Sequence, residues 1–116
     1  MSETKEKKII EQYVDAMVEG DWVALAACFE DKCRFFDFCP IGYDQSNYNL
    51  YGRPAVEMFY YNKFFFKYVQ ISDPVIQDDN TVDYLVAYTR QNMHVQAKIE
   101  ALGENGLIQE MVIRPA

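Results

Sequence analysis

The sequence predicts an α+β fold: a curved antiparallel sheet wrapped around three N-terminal helices into a cone-shaped shell. Three observations predict it. Apolar residues recur at helical spacing before residue 30 and again after Gly52. Strand-like stretches dominate from Phe66 onward, with strict alternation clearest between Met93 and Leu102. Short turns, not helices, separate those late stretches. Runs of helices followed by runs of strands indicate segregated rather than alternating architecture.

The first helix is expected from about Ser2 to Glu19, with Ile9, Ile10, Tyr13, Val14 and Met17 forming one apolar stripe. Gly20 supplies a stop and Asp21 can cap the next helix at once. That second helix is expected from Trp22 to about Glu30, burying Trp22, Leu25, Ala26 and Phe29. Cys33 to Cys39, CRFFDFC, reads as a strand with Cys33, Phe35, Asp37 and Cys39 on one face. Pro40 to Tyr51 reads as a loop. Gly52-Arg53-Pro54 then opens a third helix, since proline suits a first turn, and Ala55, Val56, Phe59, Tyr60 and Lys63 follow at helical spacing.

Strands are expected over Phe66–Gln77, Thr81–Arg90, Met93–Leu102 and Leu107–Arg114. Asp78-Asp79-Asn80 and Glu104-Asn105-Gly106 mark turns, the second with the Asn-Gly pair that favours type I′. Met93, Val95, Ala97, Ile99 and Ala101 alternate with His94, Gln96, Lys98 and Glu100, the pattern of a half-buried strand.

The 116 residues fit one domain, 1–116, large enough for a core without disulfide or metal staples. Half of the residues are hydrophobic and 16% are aromatic, which excludes a disordered chain. The net charge of −7 argues against nucleic acid, because phosphate neutralisation needs a basic face. Apolar stretches are too short for a membrane-spanning helix, and Met1 to Lys8 has no signal-peptide apolar core. A cytoplasmic protein is the expectation. Cys28, Cys33 and Cys39 form no CxxC pair, and with one histidine no zinc pattern can be written. No metal or cofactor is expected.

The element order resembles the NTF2-like superfamily over nearly the whole chain. The resemblance rests on Tyr13-Val14, Glu19-Gly20-Asp21, Phe29-Glu30-Asp31 and Asp37, then on Gly52-Arg53-Pro54-Ala55-Val56 and Phe59-Tyr60. Within that group the first stretch is similar to ketosteroid isomerase, and the chain also resembles SnoaL-like cyclases. The resemblance implies that Asp37 is a general base, that Tyr13 donates a hydrogen bond to an enolate oxygen, and that Tyr60 supports Tyr13. It departs where the isomerases place a protonated aspartic acid, since the nearest positions here are Lys98 and Ile99. Asp37 is also followed by Phe38, not by the common proline.

Each residue has a structural reading beside the functional one. A carboxylate on the apolar face of Cys33, Phe35 and Cys39 is desolvated, which raises its pKa toward the range of a base. Asp37 can equally face outward or accept structural hydrogen bonds. Tyr13 is an oxyanion donor or a core phenol bonded to a neighbour. His94 belongs to the polar strand face, and a scytalone-type dehydratase would need a histidine pair. A limonene-type epoxide hydrolase would need an Asp-Arg-Asp set, of which only Asp37 can be placed. The aromatic segment Met58 to Tyr68 cannot all face one way, so some rings should reach a surface. Tyr43, Tyr48 and Tyr51 sit where they can close over a flat ligand or simply pack the loop.

The expected function is that of a cofactor-independent isomerase, cyclase or dehydratase acting on a small apolar carbonyl compound. The alternative is a non-catalytic ligand-binding or dimerisation module of the same fold. A small apolar ligand and a homodimer through the sheet are the expected partners.

Overall fold

A computed structural model describes residues 5–39, 47–66, 69–87 and 92–116. Their elements are α1 (Lys5–Glu19), α2 (Trp22–Ala26), β1 (Phe29–Asp37), β2 (Tyr48–Tyr51), α3 (Arg53–Phe65), β3 (Gln70–Asp78), β4 (Thr81–Ala87), β5 (Asn92–Leu102) and β6 (Ile108–Pro115). The fold is α+β, as expected. Its six strands form one curved sheet in the order β2-β1-β6-β5-β4-β3. One expectation is corrected here: the sheet is mixed, because β1 pairs in parallel with β6, Phe35 lying opposite Met111. The other neighbours are antiparallel. The helices are also not all N-terminal, since α3 follows β1 and β2.

The α1 stop is built from Gly20, whose φ of +71° suits a residue without Cβ. The Gly20 N–H donates to Met17 O at 3.2 Å and the Asp21 N–H to Ala16 O at 2.9 Å, the paired bonds of a Schellman end. Asp21 then caps α2, its Oδ1 accepting from the Ala24 N–H at 3.0 Å. The second helix is far shorter than expected. It ends at Ala26, and Phe29 and Glu30 already belong to β1. Phe29 and Phe35 carry the aromatic β propensity of this stretch, and both are fully buried on the sheet face toward the helices. The start of α1 at Ser2 lies outside the described residues.

β1 also ends two residues earlier than expected, at Asp37. Part of the expected Pro40–Tyr51 loop is instead β2, which pairs with β1 from Arg34 opposite Tyr51 to Asp37 opposite Tyr48. The strand expected from Phe66 begins at Gln70, because α3 continues to Phe65 and Phe66 forms its cap. In β3 an extra residue between Ser72 and Val75 makes a bulge against Leu85 and Asp83 of β4. Asp73, at φ +53°, takes up that bulge. The β5–β6 turn is not type I′, which needs two central residues at positive φ. Only Gly106 is positive there, and its N–H bonds Gly103 O at 3.0 Å.

The core lies between the concave sheet face and the helices. Ile10, Tyr13 and Met17 of α1, Leu25 of α2 and Val56 of α3 meet Phe29, Phe35, Val82, Val95 and Met111. Phe35 touches three rings, with centroids 6.0 Å from Phe29, 5.3 Å from Phe59 and 5.8 Å from Tyr60. Truncating such a ring to alanine typically costs about 3–5 kcal/mol. Among the described residues, no helix is long and apolar enough to cross a membrane.

Candidate functional site

Strand alternation decides where Asp37 points. Cys33 and Phe35 are buried on the helix side of β1, and Asp37 shares their face at the strand end, only 6% exposed. Just beyond it the chain turns back, so the Cys39 N–H donates to Asp37 Oδ1 at 2.9 Å. Burial raises the carboxyl pKa; that hydrogen bond, and the positive charge of Lys63, pull it part of the way back. Asp37 is therefore inward-facing, and it has a structural hydrogen bond as well.

Tyr13 comes from the middle of the α1 stripe and Tyr60 from the inward face of α3. Their hydroxyls meet at 2.5 Å, so one phenol donates to the other. Their rings stand nearly perpendicular, with centroids 6.4 Å apart. Burial pushes both phenols above the ordinary tyrosine pKa, so both stay neutral and keep a proton to donate.

A narrow cavity of about 20 Å³ lies between α3 and the sheet, walled by Asp37, Cys39, Tyr60, Lys63, Tyr84 and apolar side chains of the strands. That is room for about one water, which would meet the polar partners a buried water needs. Tyr13 does not line it. It is 0% exposed and sits behind Tyr60. Larger clefts of about 260 and 330 Å³ lie between α1 and the β5–β6 turn and between α1 and the α2 region, but these are open surface grooves without a comparable buried carboxylate among the described residues.

Lys63 is the site residue that sequence reasoning passed over. It lies one turn beyond Tyr60 and Phe59, and its Nζ stands 4.7 Å from the Phe59 ring centroid. Burial lowers its pKa, while Asp37 and then Cys39 draw it back up. The available signal was a lysine at i+3 and i+4 on the apolar stripe of a helix. Cys39 was placed on the Asp37 face, but not as part of a site. Its thiol is pushed far up by burial first and by the Asp37 charge second, so it stays a thiol and no reactive thiolate forms.

Other expectations resolve simply. His94 is exposed on the outer sheet face. No arginine or second aspartate lines the Asp37 cavity, so an Asp-Arg-Asp set is not assembled among the described residues. On β5 the inward position is Ile99, buried, with Lys98 exposed. Tyr48 and Tyr51 are exposed side chains of β2, not loop residues, though the Tyr48 ring reaches Phe59 at 5.2 Å. Tyr43 and Tyr68 lie outside the described residues. Rings of the 58–68 segment do emerge: Phe65 and Phe66 are half exposed and pack with Tyr61.

Asp37, Tyr60 and Lys63 thus border one small cavity, and Tyr13 is hydrogen-bonded to Tyr60. No family model and no curated protein matches the chain. Solved structures do. An NTF-2 like protein of unknown function from Burkholderia xenovorans LB400 aligns with TM-score 0.69 at 13% identity, covering 97% of this chain and 83% of that one. SalBIII, an epoxide hydrolase/cyclase-like enzyme with a role in pyran ring formation in the polyether salinomycin, aligns with TM-score 0.68 at 18% identity, covering 97% and 91%. A candidate ketosteroid isomerase from Kribbella flavida DSM 17836 aligns with TM-score 0.63 at 13% identity, covering 94% and 76%. At these identities the likeness carries the fold, and the fold is NTF2-like.

Proposed function

We propose that this NTF2-like chain is a cofactor-independent isomerase, cyclase or dehydratase acting on a small apolar carbonyl compound. The observation that carries the reading is the sharing of one small cavity, half of whose lining residues are aliphatic, by Asp37 and Tyr60. Asp37 would take a proton from the carbon next to the carbonyl. The C–H pair would move into a carbon–carbon double bond as the carbonyl oxygen becomes an enolate oxygen. A hydroxyl of the Tyr13–Tyr60 pair would hold that oxygen. Tyr60 lines the cavity and Tyr13 does not, so the proposal exchanges the roles that the family resemblance implies. Tyr60 donates to the ligand, and Tyr13 supports Tyr60. General-base transfer contributes about 10²–10⁴-fold and one oxyanion donor about 10²–10³-fold.

A carbonyl ligand must widen the small cavity. The half-buried Lys63 side chain forms part of its wall and is long enough to swing aside. The neighbours' descriptions, an epoxide hydrolase/cyclase-like enzyme for SalBIII and a candidate ketosteroid isomerase for the Kribbella protein, support the reaction class without naming a substrate.

A second reading follows from the size of the cavity. At about 20 Å³ it suits a packed, non-catalytic module better than a substrate site. The module would pair as a homodimer through the outer sheet face, where Phe36 of β1 and Val112 of β6 lie side by side in register. We place either protein in the cytoplasm.

The test is a thermal-shift screen with small phenols and conjugated ketones on wild type, Asp37→Asn, Tyr60→Phe and Tyr13→Phe, followed by NMR of hydrogen–deuterium exchange into the ketone. Phenols resemble the enolate, so wild type and Asp37→Asn should be stabilised and Tyr60→Phe should not. Exchange should vanish in Asp37→Asn. A chain that no phenol stabilises and that exchanges no ketone proton is the dimerisation module, and sedimentation would then show a dimer.

A further inference from the structure

The cavity's charge balance supplies what the missing acid on β5 does not. Three charged or strongly polar residues line it: Asp37 from β1, and Tyr60 and Lys63 from α3. Cys39 adds a neutral thiol beside Asp37, and Tyr84 of β4 a phenol. The remaining walls are apolar, from Val69 and Ile71 at β3, Val86 of β4, Val95 of β5 and Ile113 of β6. Among the described residues, Lys63 is thus the one cation lining the cavity. It is held over the Phe59 ring at 4.7 Å.

We propose that Lys63 is a further catalytic residue of this site, the counter-ion that stabilises the ligand's anionic oxygen, and that the ligand class is an apolar molecule carrying or developing one negative oxygen. The proposal rests on the reading of the cavity as a ligand site. Consider the proton transfer. Before it, the cavity holds Asp37 as a carboxylate and Lys63 as an ammonium. After it, the C–H proton is on an Asp37 oxygen, the electron pair has moved through the new double bond to the enolate oxygen, and Lys63 is unchanged. The cavity is neutral at both stages. The negative charge only relocates, and it stays near the same ammonium throughout. In a partly desolvated space that constancy matters, because an unbalanced charge there is costly.

Lys63 thereby takes the place of the acidic second donor, from a helix rather than from the sheet. Ile99, at the inward β5 position, can donate nothing. The Lys63 side chain is half-buried, which lowers its pKa, and an incoming oxyanion would give its ammonium an opposite charge as partner.

The experiment uses 4-nitrophenol, whose ionised form is yellow, titrated by absorbance against pH in the presence of the full-length chain. Wild type should bind it in the ionised form with a proton on Asp37, the charge state of the enolate stage, and move its ionisation midpoint to lower pH. An opposite charge close by shifts a pKa by about 1–3 units. Lys63→Met should therefore raise the bound midpoint by at least about one unit and weaken binding of the ionised form about tenfold. Lys63→Arg, which keeps the charge, should recover most of the shift. A purely structural lysine would alter melting but not this midpoint. Equal midpoints for wild type and Lys63→Met, with binding intact, would overturn the role of Lys63 and leave Asp37 and Tyr60 standing. Absence of binding in every variant, with native circular dichroism, would overturn the ligand site and this proposal with it.

Discussion

Replacing Tyr13 or Tyr60 by phenylalanine removes one oxygen from a buried pair, and the two changes should not cost the same. The hydroxyls bond at 2.5 Å. Removing the Tyr60 oxygen leaves the Tyr13 hydroxyl fully buried and away from the cavity, without its hydrogen-bond partner. An orphaned buried donor costs about 1–3 kcal/mol. Removing the Tyr13 oxygen leaves the Tyr60 hydroxyl on the wall of a cavity with room for about one water. That loss should be nearer the net value of an ordinary hydrogen bond, about 0.5–1.5 kcal/mol. The double variant removes both oxygens and orphans neither, so it should cost less than the two singles together. The expected coupling is about 1–3 kcal/mol. Urea unfolding of the four proteins at neutral pH, fitted with a common m value, measures it. Additive single effects, or a Tyr13→Phe loss larger than that of Tyr60→Phe, would refute the argument that cavity access separates the two phenols.

Four further outcomes follow from the structure. Asp37 has a folded-state pKa raised by burial, so the folded chain holds its proton to higher pH than the unfolded chain does. Stability from this group is present below the ordinary carboxylate pKa and is lost as pH rises through the raised value; Asp37→Asn should therefore melt above wild type near pH 7, with the gain vanishing toward about pH 4. Gly52→Ala should destabilise by about 1–3 kcal/mol in urea, since φ +95° and ψ 149° form a region open essentially to glycine alone. At Gly103 an added Cβ would meet only the end of the Glu30 side chain, which can swing away, so Gly103→Ala should cost less than about 0.5 kcal/mol. All three cysteines are buried, with Cys28 pushed up to about 11, so a thiol reagent at pH 8 should label the native chain slowly and the urea-unfolded chain at all three positions.

Much of the candidate site was legible before any coordinates. The period of two in CRFFDFC placed Asp37 with Cys33 and Phe35, and burial bears that face out. The helical period placed Tyr13 on a buried stripe. What the periods could not state is distance. Tyr13 and Tyr60 are 47 residues apart, and only the packing of α1 against α3 brings their oxygens together. Which phenol faces the cavity depends on which helix borders it, a property of layers and not of either helix alone. Lys63 escaped notice for a related reason. A lysine near a helix end usually reaches water, and only the sheet closing over α3 turns it toward Asp37.

The sequence by itself determined the local units: the Gly20–Asp21 stop and cap, the glycine-proline opening of α3, the alternating strand with Ile99 inward, and the α+β class that follows from their order. Each depends on residues within a few positions of one another, where side-chain chemistry acts directly on φ, ψ and period. Tertiary structure alone decided the parallel pairing of β1 with β6, the conversion of Tyr48–Tyr51 into a strand, and the early end of α2. Those depend on which backbone donors find partners far along the chain. The N–H of Phe38 reaches Ile113 O at 2.8 Å and that of Ile108 reaches Cys28 O at 2.8 Å, across the first and last strands. No local rule encodes such bonds. They form because burying the apolar faces of β1 and β6, with Phe29, Phe35, Ile108, Met111 and Ile113, leaves those groups no water to bond instead.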